Sequence, residues 1–136
     1  MNYYVKLLII AFVFTSIDFV WIMWNKDIYI KTAEKVQKSK HELSNFIYIP
    51  LAYVVIISGL FVICFSFVDT QLQKYKNIDK HMVAFFAGGF YGVIVNSVYH
   101  FTSLVAYKDY SLYATVFDIA WALVLYGTAS VLYVRL

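Results

Sequence analysis

The sequence predicts an all-helical integral membrane protein built as a bundle of four transmembrane helices. Three observations predict this class: 62% of the 136 residues are hydrophobic, only 14% are charged, and the mean hydropathy is +0.71. Soluble globular domains carry about a quarter charged residues, so a soluble fold is excluded. The net charge is only +3, and the lysines stand beside apolar stretches, which is typical of membrane flanks. We therefore expect the lipid bilayer, and no nucleic acid, as a partner.

Four apolar segments are long enough to cross a bilayer, which takes about 20 helical residues. They comprise residues 3–24, 45–68, 82–107 and 112–134. The first segment has no small-residue cleavage site after it, so we interpret it as a retained helix and not as a signal peptide. The sequence predicts one four-span transmembrane domain over residues 1–136.

The connections between these segments are short and polar. Residues 26–44 contain loosely periodic apolar positions, which predicts a short interfacial segment between the first two helices. Residues 69–81 are predicted as a polar loop. Lys108 and Asp109 mark a tight turn, so the third and fourth helices should form an antiparallel hairpin. Basic residues are almost equally numerous in the connections on the two sides of the membrane, so they do not indicate the orientation of the chain.

Three ionisable side chains fall inside the predicted spans: Asp18, His100 and Asp118. A charged carboxylate at the centre of a bilayer costs about 2.5–3.5 kcal/mol, so such residues normally face the bundle interior and have partners. Each of the three stands about 8 Å from the middle of its segment, toward the same membrane face. The spacing therefore predicts one shared polar layer.

The third segment repeats small or polar residues every four positions: Ala84, Gly88, Gly92, Asn96 and His100. Residues four apart share one face of a helix. Gly88 and Gly92 form the small-xxx-small spacing that allows close helix packing, and Asn96 is expected to bond across helices. This stripe predicts a face in contact with protein and not with lipid.

The motif Thr-x-x-Asp-x-x-Trp occurs twice, at residues 15–21 and at residues 115–121. The two helices run in opposite directions, so the copies could form an inverted pair of the kind found in transporters built from repeats. The flanking residues do not repeat, and coincidence remains an alternative. We expect Trp21 and Trp121 to pack beside the polar layer, because large aromatic side chains fill helix interfaces.

The chain resembles a small bacterial membrane-protein family known as domain of unknown function 2177. In the C-terminal half, members of that family carry a Gly, Tyr-Asp-x-Thr-Asn, a Lys, Trp-Pro and Thr-x-x-Asp-x-x-Trp at fixed spacing. This chain has Gly92, Tyr99-His100-Phe101-Thr102-Ser103, Lys108, Tyr110-Ser111 and the motif at residues 115–121 in those places, and Asp18, Trp21, Tyr29, Tyr53 and Gly59 match as well. The resemblance implies a four-helix fold with a polar centre, and it implies no substrate.

The chain departs from the family pattern at several of these positions. His100 stands where the family carries Asp, Ser103 where it carries Asn, and Ser111 where it carries Pro. If the family function needs an acid at the first of these positions, His100 changes the protonation range or abolishes the chemistry.

The polar layer supports three functional hypotheses. The first is proton or cation transport, or a channel. Asp18 and Asp118 would carry or coordinate the cation, and His100 would titrate or gate, since imidazole ordinarily titrates near physiological pH. Asn96 and Thr102 would orient these groups. The second is a membrane-embedded enzyme or binder of a lipid-soluble small molecule. The sequence contains no HExxH motif, no Ser-His-Asp order, no Gly-rich phosphate loop and no Cys pair, so we lean against an enzyme, and no cofactor or metal is assigned. In the third, the layer only fixes helix packing in a structural or assembly subunit.

A channel would also require more than one chain. Four short helices hardly enclose a wide aqueous pore, so a channel predicts a homo-oligomer, whereas a proton pathway fits inside one chain. The candidate packing seams are Gly88 with Gly92 and Ala52 with Gly59.

Overall fold

The computed structural model describes residues 2–40 and 45–136, and within those ranges it contains only helices, turns and loops. We number the helices α1 (Tyr3–Trp24), α2 (Lys26–Gln37), α3 (Tyr48–Lys74), α4 (Lys80–Ala106) and α5 (Leu112–Arg135). All except the short α2 are long and apolar enough to cross a membrane. The predicted all-helical, four-span bundle is therefore confirmed.

Polar side chains fix where three of the spanning helices begin. The carboxamide of Asn2 accepts a hydrogen bond from the backbone N–H of Tyr4, at the start of α1. Asp79 accepts from two backbone N–H groups at the start of α4, and Ser111 accepts from Ala114 N–H at the start of α5. These caps satisfy donors that have no partner inside the helix.

One of the connections differs from the sequence-based expectation. The predicted polar loop at residues 69–81 is wrong in its first half, because α3 continues to Lys74. Residues 69–74 include no glycine or proline, and Asp69 is held by a 3.0 Å hydrogen bond from the Tyr133 hydroxyl, so the helix continues beyond its apolar stretch. The interfacial segment predicted at residues 26–44 contains α2, while its residues 41–44 lie outside the described ranges.

Helices α4 and α5 form an antiparallel hairpin whose backbones approach closely along the glycine stripe. A Cβ atom added at Gly88 would lie 1.9 Å from Ser130 Oγ, and one added at Gly92 would lie 2.6 Å from the carbonyl oxygen of Ala122. Only glycine fits at these two positions. The small-xxx-small spacing thus meets α5 of the same chain.

The two ends of the bundle differ in chemistry. At the end away from α2, the apolar side chains of Ile10, Leu60, Phe65 and Val68 are fully or almost fully buried. Residues Leu60–Cys64 form a π-helical turn inside α3 at this level. The opposite end, which α2 adjoins, contains the polar side chains predicted from the sequence.

Candidate polar site

The polar side chains lie at similar depths because each stands close to one end of its helix. Asp18 precedes the end of α1 by six residues, and His100 precedes the end of α4 by six. Asp118 follows the start of α5 by six residues, and Tyr53 follows the start of α3 by five. At 1.5 Å per residue this distance is about 9 Å. The antiparallel course of the helices places all four ends on the side of α2.

Asp18 is held by two neutral donors. The Tyr53 hydroxyl donates to Oδ2 at 2.8 Å, and the Trp121 indole N–H donates to Oδ1 at 3.0 Å. These bonds tie α1 to α3 and to α5. In the described part of the chain, Asp18 has no ion pair with a basic side chain. Each of its oxygens accepts one hydrogen bond and retains the capacity to accept another.

Asp118 is held by a phenol and an imidazole. The Tyr29 hydroxyl of α2 donates to Oδ1, and His100 Nε2 lies 2.9 Å from Oδ2. On the other side of the imidazole, the Tyr110 hydroxyl lies 3.0 Å from Nδ1. A carboxylate only accepts, so with Asp118 ionised Nε2 must donate to it, and in the neutral imidazole Nδ1 then accepts from Tyr110. Four side chains thus form one continuous hydrogen-bonded chain.

Two cavities meet at Asp118. The inner cavity, of about 180 Å³, is lined by Asp18, Asp118, Asn96 and apolar or aromatic neighbours. The vestibule, of about 360 Å³, lies toward α2 and the α4–α5 loop and is lined by His100, Tyr110 and Asp118. Tyr29 and Asp118 line both cavities. Their hydrogen bond therefore forms part of the wall between them.

Two phenols that bond to the polar side chains, those of Tyr29 and Tyr110, lie outside the spanning helices and act as hydrogen-bond donors. Burial raises the pKa of Tyr110 to about 12. Burial, and then the hydrogen bond to Asp118, raise the pKa of Tyr29 well above its ordinary value. Both hydroxyl groups therefore remain protonated at physiological pH and donate to their acceptors.

The structure brings together most, but not all, of the residues predicted for the layer. His100 is 3% exposed and contacts Asp118, and Asn96 lines the inner cavity together with both carboxylates. Asn96 was expected to bond across helices, but its Nδ2 donates at 3.2 Å to Gly92 O within α4. Thr102 does not join the site: it is exposed, and its hydroxyl donates to backbone carbonyls of α4. A helical threonine readily makes this local bond, which no spacing rule excludes.

The two tryptophans have different roles. Trp21 and Trp121 stack with ring centroids 4.1 Å apart and an interplanar angle of 2°. Trp121 also donates to Asp18, so it does more than pack beside the layer. Trp21 Nε1 lies near the Tyr29 hydroxyl and makes no hydrogen bond to a described residue. The tryptophan of the second motif copy thus donates to the aspartate of the first copy, whereas Trp21 makes no corresponding bond to Asp118.

Sequence reasoning missed the three tyrosines that hold the polar side chains. Tyr29, Tyr53 and Tyr110 bond to Asp118, Asp18 and His100, respectively. The chain has 13 tyrosines, and those near span ends also fit an interfacial aromatic belt. The available signal was the resemblance, because Tyr29 and Tyr53 stand at positions that match the family.

The described residues of the site do not form a metal-binding cluster. The described residues include no cluster of three or more His, Cys, Asp or Glu side chains placed to hold a metal ion. As far as the described residues extend, the site contains two carboxylates, one imidazole and several phenols. Carboxylates and imidazole are groups that can exchange protons, and carboxylates can accept hydrogen bonds from a cation.

The fold and this intramembrane cluster define a multi-pass integral membrane protein. The chain belongs to the family described as "Predicted membrane protein (DUF2177)", whose model matches residues 3–134. That description states a membrane location and no activity. No curated protein and no solved structure matches the chain significantly.

Proposed function

We propose that the protein transports protons or cations, with Asp118 and His100 as the exchanging groups. One observation supports this proposal above the others: Asp118 lines both cavities and is hydrogen bonded to the imidazole that lines the vestibule. A carboxylate and an imidazole in such contact form the elements of an intramembrane proton relay.

The relay follows from the hydrogen bonds of His100. A proton that reaches Nδ1 from the vestibule makes an imidazolium, whose Nε2 proton then moves across 2.9 Å to Asp118 Oδ2. The Asp118 carboxyl group releases this proton into the inner cavity, and rotation of the neutral imidazole then turns its remaining N–H from the vestibule toward Asp118, which readies the ring for the next proton. Tyr110 receives no proton in this sequence, because its phenol only leaves and re-forms its bond to Nδ1.

A transporter fits the fold better than an open channel does. The bundle end away from α2 is closed by packed apolar side chains, among them Ile10, Leu60 and Phe65. The π-helical turn Leu60–Cys64 lies in this closed half, and such turns frequently occur at functional sites. We propose that this half opens when the site exchanges with the opposite membrane face.

The pathway that we propose runs through a single chain. Asp118 connects the inner cavity, the vestibule and His100 inside one four-helix bundle. A homo-oligomer remains a prediction, and this pathway does not depend on it.

Proton uptake into liposomes tests the proposal. Purified protein is reconstituted as wild type, as His100→Gln and as Thr102→Val, and acidification is followed with an enclosed pH-sensitive dye. We expect His100→Gln to lose flux by at least about tenfold, since a relay without its shuttling group loses most of its rate. The matched control Thr102→Val, changed two residues away on the exposed face of α4, retains flux. Equal flux in the folded wild type and His100→Gln would refute the relay.

A further inference from the structure

The inner cavity presents acceptors and aromatic faces, and none of the described residues that line it is basic. Its polar lining comes from Asp18, Asp118 and Asn96 and from the hydroxyl groups of two tyrosines, while Phe14, Trp121 and other apolar side chains line the remainder. The Asn96 amide N–H bonds to its own helix, so its carbonyl oxygen is available to a ligand. Carboxylates bind cations, and aromatic faces attract them through their quadrupoles.

A buried tyrosine whose hydroxyl has no hydrogen-bond partner among the described residues also lines this cavity. Tyr126 is 4% exposed and lines the inner cavity, and its hydroxyl makes no hydrogen bond to a described residue. Its ring packs edge-on against Phe14, with centroids 5.1 Å apart, and it covers Gly92. The hydroxyl oxygen is accessible and not sealed in the core, so a ligand or water in the cavity can form a hydrogen bond with it.

The two carboxylates have different charge environments. Asp118 contacts His100, which can balance its charge when protonated. Asp18 receives only neutral donors, from Tyr53 and Trp121. Among the described residues, Asp18 therefore lacks the cationic partner that an intramembrane carboxylate normally has.

We propose that the inner cavity binds a small organic cation of the primary ammonium class, with its nitrogen at Asp18 and its apolar part against Phe14, Trp121 and Tyr126. The three N–H donors of such a cation match the remaining acceptor capacity of Asp18 and the Asn96 carbonyl oxygen. The volume of about 180 Å³ corresponds to roughly six water molecules, which limits the ligand to a few carbon atoms. The inference names a cargo class for the proposed transport, and it rests on the proposed function in that respect.

Calorimetric binding in detergent micelles tests this site without requiring flux. The probe is tert-butylammonium, compared with tert-butanol, which has a similar shape and no charge, and with tetrabutylammonium, which is too bulky. We expect saturable binding of the first probe alone. Asp18→Asn should weaken this binding by at least about tenfold, because a charge-assisted hydrogen bond is lost. Ser58→Ala, on an exposed face of α3, should leave it unchanged.

A second variant keeps the test decisive if Asp18→Asn fails to fold. Tyr126→Phe removes only the unpartnered hydroxyl, and we expect a several-fold loss of tert-butylammonium affinity with unchanged thermal stability. The inference is overturned if folded wild type shows no saturable binding, or if both folded variants bind as wild type does. Proton flux without ammonium binding would overturn this inference alone. Ammonium binding without any flux would overturn the proposed transport and leave the binding site standing.

Discussion

The Gly88→Ala substitution tests the close approach of α4 and α5 that places His100 beside Asp118. The added Cβ would lie 1.9 Å from Ser130 Oγ, 2.6 Å from Ser130 Cβ and 2.7 Å from Tyr126 O. The contact with Ser130 Cβ is 0.8 Å shorter than the 3.4 Å at which ordinary van der Waals contact begins. Neither that atom nor the Tyr126 carbonyl belongs to the end of a flexible side chain, so the helices must separate.

The expected cost follows from these overlaps. Overpacking in a close-packed interior costs about 3 kcal/mol at the upper end of its usual range. Alanine recovers about 1 kcal/mol of helix propensity relative to glycine. The net loss in the free energy of unfolding should therefore be about 2 kcal/mol.

Gly59→Ala is the matched control. Its added Cβ would meet only the Tyr91 hydroxyl, at 2.9 Å, and this group lies at the far end of a side chain that can move. We expect stability equal to or slightly above that of wild type, because the gain in helix propensity is not opposed by backbone overlap.

Equilibrium unfolding in mixed detergent micelles, followed by circular dichroism, measures both variants. The reasoning is refuted if Gly88→Ala and Gly59→Ala unfold at the same denaturant concentration. It is also refuted if Gly88→Ala proves more stable than wild type.

Three further predictions concern the polar end and the packed end of the bundle. Tyr29→Phe removes the hydroxyl bonded to Asp118, which forms part of the wall between the cavities. In a protein that carries Asn96→Cys and Cys64→Ala, adding Tyr29→Phe should make the cysteine at position 96 react faster with a water-soluble thiol reagent. An unchanged rate would contradict the partition between the cavities. The pKa of Tyr110 is raised from 10.0 to about 12, so the stability that its neutral phenol contributes is present below pH 10 and is lost as the pH rises through about 12. Between pH 10 and about 12, the melting temperature of wild type should therefore fall more steeply than that of Tyr110→Phe. Cys64 is fully buried, so it should react with thiol reagents only after unfolding, and rapid labelling of the folded protein would contradict the closed half of the bundle.

The sequence predicted the spans well because each depends on a local property, namely a run of about 20 apolar residues. The end of α3 was misplaced for the same reason: polarity increases at Asp69, but helix propensity does not end there. A tertiary contact, the bond from Tyr133, stabilises that last part of the helix. Hydropathy alone contains no information about such a contact.

The polar site was predictable only in part. Asp18, His100 and Asp118 are conspicuous because ionisable groups are rare in spans, and their depth follows from counting residues. The partners of these groups depend on how the helices are rotated about their axes, and the pattern of the sequence does not determine this rotation. Tyr29 reaches Asp118 only because α2 folds against α5, a long-range contact that no motif in the sequence indicates.

Proton flux into liposomes that contain wild-type protein or Asp118→Asn is the most direct test of the central claim. Asparagine keeps the size of the side chain and removes the ionisable group that lines both cavities. The account predicts flux in wild type and a loss of at least about tenfold in a folded Asp118→Asn variant. If the folded variant conducts as wild type does, or wild type conducts no protons or cations, the polar cluster serves packing or binding and the transport claim is contradicted.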